Sequence, residues 1–133
     1  MGNFGIVGGL TVDLTTRALD AAALRHAAYA KNIANASIPG YQALRVSFED
    51  QLSLVRGDIL GRGNEENAQR TLANMEPRLE QSEPTSDELT DTKIPLDMEV
   101  ANMMQNAVWY QSLLTAFNKS NGILRLAIRG GNN

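Results

Sequence analysis

The sequence has no cysteine, which excludes disulfides, thiolate catalysis and cysteine-ligated zinc together. It has a single histidine, His26, so no histidine cluster can form. That residue falls in a packing stripe, where a packed or partly solvated imidazole is the ordinary reading. Aromatics are only 5% of the residues, so alanine and methionine carry much of the apolar content, which suits close helix packing better than a deep core. No basic block points to nucleic acid, and no apolar run reaches the roughly 18 residues of a membrane span. The start of the chain has neither a basic region nor an apolar stretch long enough for a secretory signal peptide. Export, if it occurs, is therefore expected by another route. Glu65, Glu66 and the acids from Glu76 to Asp91 lack the spacing and glycine of a calcium loop. No phosphate-loop pattern is present in the glycine-rich ends. The expectation is a protein that is not an enzyme, with no catalytic residues, no metal, no cofactor, no nucleic acid and no small-molecule substrate.

What remains is a chain of 133 residues with a mild net charge of −3, one small domain at most. Residues 11–34 contain no proline or glycine and are rich in alanine, the best helix former. Val12, Thr16, Leu19, Ala23, His26, Ala30 and Ile33 follow a 4,3 spacing and make one stripe. Leu10, Leu14, Ala21 and Ala28 make a second on nearly the opposite side. A helix with two apolar faces needs neighbours on both.

The helix must end before Pro39-Gly40, a pair suited to positions i+1 and i+2 of a type II turn. Ser47 is positioned to cap a short helix over 48–55, with Gly57 ending it. Residues 57–94 are polar, hold five glycines and prolines and have no convincing period; an irregular or disordered segment is expected, with at most a turn of helix over 72–79. Residues 97–129 then carry the strongest pattern in the chain. Leu96, Val100, Met103, Ala107, Tyr110, Leu114, Phe117, Asn121, Leu124 and Ile128 sustain a 4,3 alternation throughout, as in a coiled-coil seam. Asp97 is the expected N-cap. Gly122 weakens this helix, but Leu124 and Ile128 resume in phase, so one continuous helix is expected. Met104, Val108 and Trp109 lie off the seam, as Leu14 and Ala21 do on the first helix; these five are candidate contacts with other subunits. The methionines Met98, Met103 and Met104 also read as ordinary packing.

Asn32-Ile-Ala-Asn-Ala-Ser-Ile-Pro-Gly-Tyr41 closely resembles the signature that ends the N-terminal helix of bacterial flagellar rod and hook-type axial proteins. Its Asn32, Asn35, Pro39, Gly40 and Tyr41 carry the likeness, and the wording is most similar to the proximal rod (FlgB-type) branch. Leu96-Asp-Met-Glu-Val100, followed by Asn106 and Tyr110, resembles the motif that opens that family's C-terminal helix, and Leu124-Arg-Leu-Ala-Ile128 is similar to its close. The likeness covers residues 11–56 and 94–129. Ser37-Ile38, Pro95 and Val100 depart from the family pattern, and the first ten residues do not match it.

The resemblance implies an all-α fold in which long N- and C-terminal helices pair as an antiparallel, coiled-coil-like hairpin. A short helix and a long irregular segment would lie between them. The packing residues would be Leu19, Ala23, Ala30 and Ile33 against Val100, Met103, Ala107, Tyr110, Leu114, Phe117, Leu124 and Ile128. In segments, the expectation is a flexible 1–10, the helix, turn and short helix of 11–56, an irregular 57–94, a helix over 95–129 and a flexible 130–133. The resemblance further implies a structural subunit of the proximal rod of the flagellar basal body. It would be exported through the flagellar type III apparatus and assemble helically with itself and with FlgC-, FlgF- and FlgG-type rod proteins, next to the FliE adaptor and the membrane-ring protein. Phe48-Glu-Asp-Gln-Leu52 fits the Phe-x-x-x-hydrophobic spacing by which such substrates dock at the export gate; the same spacing also fits a plain packing helix. Alternatives are a FlgC-type rod subunit, or a soluble helical adaptor or export chaperone.

Overall fold

The computed structural model describes residues 3–61, 65–82 and 94–131. In chain order these form α1 (Asn3–Asn35), β1 (Leu44–Ser47), α2 (Glu49–Leu60), α3 (Glu65–Ala73), β2 (Arg78–Gln81) and α4 (Leu96–Gly130). The protein is mostly helical, with α1 and α4 packed on each other and two small strands beside them. At about 1.5 Å per residue each long helix spans roughly 50 Å. They run antiparallel: Glu99, early in α4, meets Asn32, late in α1, while Asn106 further on meets Ala22.

Several expectations are corrected. The fold is not strictly all-α, because Leu44, Arg45, Val46 and Ser47 pair antiparallel with Gln81, Glu80, Leu79 and Arg78. Four-residue strands show barely two periods of alternation, too few to stand out in the sequence, and such a ribbon is marginal alone; here it rests on α1. The region 57–94 is not irregular throughout, since it contains the end of α2, all of α3 and β2. The helix turn sought at 72–79 lies earlier, and Leu79 is in a strand. α1 extends back to Asn3, so most of the first ten residues are helical; propagating a helix costs far less than starting one. α2 continues through Gly57 to Leu60, and its N-cap is Phe48, because Ser47 is drawn into β1. Pro95, not Asp97, holds the N-cap position of α4, with Asp97 and Glu99 in the first turn facing the helix dipole favourably. α4 runs unbroken through Gly122, as its phase requires, and on to Gly130.

The packing lines also differ. On α1 the buried positions are Ala21, Ala22, Ala28 and Asn32, whereas Ala23 and Ala30 are exposed and Leu19 and Ile33 only half-buried. Ala21 is therefore a core residue, not an outward contact: it joins Phe48, Val55, Leu72 and Met75, with Leu10, Leu14 and Ala18 packed against them. On α4 the most buried residues are Glu99 and Asn106, with Met103, Leu113 and Phe117 half-buried; Val100, Ala107, Tyr110, Leu114, Leu124 and Ile128 are exposed. The true contact lines contain polar residues that a hydrophobic reading turns outward.

α2 and α3 form a short hairpin braced by named bonds. Gln51 donates from Nε2 to the Glu76 carbonyl (3.1 Å) and accepts the Glu76 N–H (3.1 Å). Thr71 donates to Asp58 at 2.9 Å. Arg17 of α1 donates to the Ala73 carbonyl (3.3 Å), a cation at a helix C-terminus.

Candidate functional site

Two features stand out: a buried polar node that fixes how the chain turns back on α4, and the outer surface of α4. The node begins at the end of α1. Gly40 has φ of 75°, and the Tyr41 N–H donates to the Ile38 carbonyl at 3.2 Å, which is the type II turn expected of Pro39-Gly40. The turn sends β1 back alongside α1, and Asn32 receives it. Its Nδ2 donates to the Leu44 carbonyl (3.0 Å) and to Glu99 Oε2 (2.8 Å). Its Oδ1 accepts from the Leu44 N–H (2.8 Å) and the Tyr41 hydroxyl (3.3 Å). All four hydrogen-bonding sites of the amide are thus used, and the residue is fully buried.

Glu99 is 1% exposed, a costly place for a carboxylate unless it is paired and fully hydrogen-bonded. Arg45 of β1 supplies a bidentate partner, Nη2 to Oε1 at 2.6 Å and Nη1 to Oε2 at 3.2 Å, and also donates to the Leu44 carbonyl at 3.0 Å. The two parallel bonds fix orientation as well as energy. Asn32 and Tyr41 belong to the first sequence signature and Glu99 to the second, 67 residues apart from Asn32; the fold brings both onto one node. Asn35 is peripheral, donating only to the Lys31 carbonyl one turn back. A second buried amide, Asn106, donates to the Ala22 carbonyl at 2.8 Å and ties the helices together midway. Among the described residues no buried side-chain polar atom lacks a partner.

A shallow cavity of about 140 Å³ lies beside the node, lined by Arg25, Ala28, Tyr29, Leu44, Arg45, Val46 and Glu49. Both guanidiniums on its wall are already paired, Arg25 with Glu49 and Arg45 with Glu99. Among the described residues no group of three or more His, Asp or Glu is arranged to hold a metal ion, and no helix is long and apolar enough to cross a membrane.

The exposed surface of α4 carries many apolar side chains, in two stretches, 96–114 and 123–128, on either side of exposed polar residues such as Thr115, Asn118 and Lys119. Among the described residues, twelve of the sixteen exposed large hydrophobics are on this helix, including Met104 (67%), Val108 (68%), Trp109 (52%) and Leu126 (70%). From Gly122 to Gly131 every residue is exposed. The other sequence candidates divide. Phe48 is buried in the core cluster while Leu52, one turn on, is exposed; the two do not form one accessible pair in the folded chain. His26 is exposed rather than packed. Sequence reading missed Arg45 and Glu99 as partners, since nothing local joins residues 54 positions apart.

No family model and no curated protein matches the chain.

Proposed function

We propose that this chain is a structural, non-catalytic subunit of a bacterial flagellar basal-body rod, of the proximal FlgB type, that assembles helically with copies of itself and with other rod proteins. The observation that carries the reading is the set of exposed apolar side chains on α4. A monomer that ends its life in solution rarely leaves so many large apolar side chains of one helix uncovered. Here a 35-residue helix leaves most of its large apolar side chains in water after packing on α1. Such a chain is only half of its own core, and neighbouring subunits complete it. The antiparallel α1–α4 pair acts as the coiled-coil-like shaft element, and the polar node holds the intervening module at a set place along it. The convergence of the two signature motifs on that node supports the resemblance from which the rod assignment comes. In this reading the subunit travels through the flagellar type III apparatus and joins the rod beside the FliE adaptor and the membrane-ring protein.

The test is genetic and structural together. Deleting the gene in its own host should abolish swimming and leave basal bodies without a rod in electron micrographs. Complementation with the wild-type gene should restore both, and complementation with Met104→Glu/Val108→Glu should not, although that protein folds and is exported. Swimming by the deletion strain would remove the rod assignment. Restored swimming with the double variant would remove the assembly role of this face.

A further inference from the structure

The charges of this chain are divided unevenly along it. After Glu99 there is no acidic residue at all, and Lys119, Arg125 and Arg129 give that stretch a charge of +3, leaving −6 on residues 1–99 against the whole-chain −3. The basic end is also the fully exposed one: Ile123, Leu124, Leu126 and Ile128 are all exposed around Arg125 and Arg129, which form no ion pair with a described residue. An apolar surface carrying cations and no anions is disfavoured as its own partner across a two-fold axis, because like charges are brought together there. Its complement must be apolar and acidic.

The same molecule carries such a surface. On α2, Asp50 and Leu54 stand one helical turn apart, both exposed, Leu54 at 64%. Gln51, next to Asp50, holds the backbone of exposed Glu76 through two bonds, so a second acidic residue is anchored beside α2. Neither Asp50 nor Glu76 has an ion-pair partner among the described residues.

We infer that the basic, apolar end of α4 (Arg125, Leu126, Ile128, Arg129) docks on the acidic surface of α2 around Asp50 and Leu54, beside Glu76, of a second copy of this chain. Because the two patches differ, the contact is heterologous: each copy offers one used and one unused surface, and the assembly stays open and grows. The inference rests on the self-assembly reading above and gives it direction. Charge sets the pairing and its salt sensitivity, while the apolar residues at the centre supply most of the affinity.

A charge-swap experiment on the full-length chain tests it by sedimentation velocity over a range of concentrations. Wild type should grow into large species. Arg125→Glu/Arg129→Glu should weaken self-association about tenfold or more, as should Asp50→Lys/Glu76→Lys, since each faces like charge with like. Mixing the two variants should restore growth, because each then offers the surface the other needs. All four positions are exposed, so far-ultraviolet circular dichroism should be unchanged. Growth of wild type should also weaken several-fold when salt is raised from about 0.1 to 0.5 M, as the Debye length shortens. If both variants assemble like wild type, or the mixture stays dispersed, this contact is wrong while the assembly reading survives. A wild-type protein that stays monomeric throughout removes both. Binding of the monomer to phosphatidylserine vesicles without self-association would reassign the basic end to an anionic membrane and defeat the proposal.

Discussion

The buried node gives the most exacting prediction. Replacing Asn32 by alanine removes four hydrogen bonds at one stroke, but their losses are unequal. The Tyr41 hydroxyl is only half-buried and turns to water. The Leu44 carbonyl keeps the Arg45 guanidinium, and Glu99 keeps both of its bonds to Arg45. The Leu44 N–H, bonded to Asn32 Oδ1 at 2.8 Å in a part-buried place, loses its acceptor and cannot turn away as the hydroxyl can, because it is fixed in the backbone of β1. An orphaned buried N–H costs about 1–3 kcal/mol, and losing a bond to a buried carboxylate about 1.5 kcal/mol more. Asn32→Ala should therefore destabilise the monomer by about 3 kcal/mol. Against a total of about 5–15 kcal/mol for an ordinary domain, that is a large fraction. The assay is urea denaturation followed at 222 nm, at low protein concentration so that assembly does not contribute. Asn35→Ala is the control, because that side chain only back-bonds to Lys31, and its loss should cost less than about 0.5 kcal/mol. Adding Glu99→Ala to Asn32→Ala should reveal coupling of about 1 kcal/mol in a double-mutant cycle. If Asn32→Ala costs no more than the Asn35 control, the node does not hold β1 and α4 together and the reasoning collapses.

Three further outcomes follow from the same structure. Gly40→Ala should cost about 1–2 kcal/mol from the left-handed backbone alone, since an added Cβ meets nothing within 4 Å; a neutral substitution in the urea assay would contradict the type II turn. Asn106→Leu should stay within about 1 kcal/mol of wild type, because the Ala22 carbonyl keeps its helical partner when the amide is gone; thermal melts comparing it with Asn32→Ala would separate a replaceable buried amide from an irreplaceable one. Phe48→Ala should cost about 3–5 kcal/mol as a core deletion, whereas the exposed Leu52→Ala should cost less than about 1 kcal/mol. A secretion assay on Leu52→Ala then probes gate docking without a folding defect: undiminished export removes that role for Leu52.

The sequence alone determined the two long helices, the turn that closes the first and the continuity of the second, though not where the first begins. These follow from local rules that do not depend on what lies across the fold: alanine-rich runs without proline, a glycine where φ must be positive, a period that holds its phase through Gly122. The surplus of apolar surface was legible for the same reason, since a helix with too many apolar positions for one neighbour shows this in its own spacing. Tertiary structure alone decided which of those positions face inward. Asn32, Glu99 and Asn106 are buried on the paired helices alongside the α1 alanines, and a hydrophobic pattern must assign them to water. They can be buried only because their partners are already in place: Leu44 and Arg45 on a strand, Ala22 on the other helix. Those partners are brought there by the fold, not by proximity along the chain. The ribbon was hidden likewise, because each four-residue strand acquires its hydrogen bonds only when the other arrives.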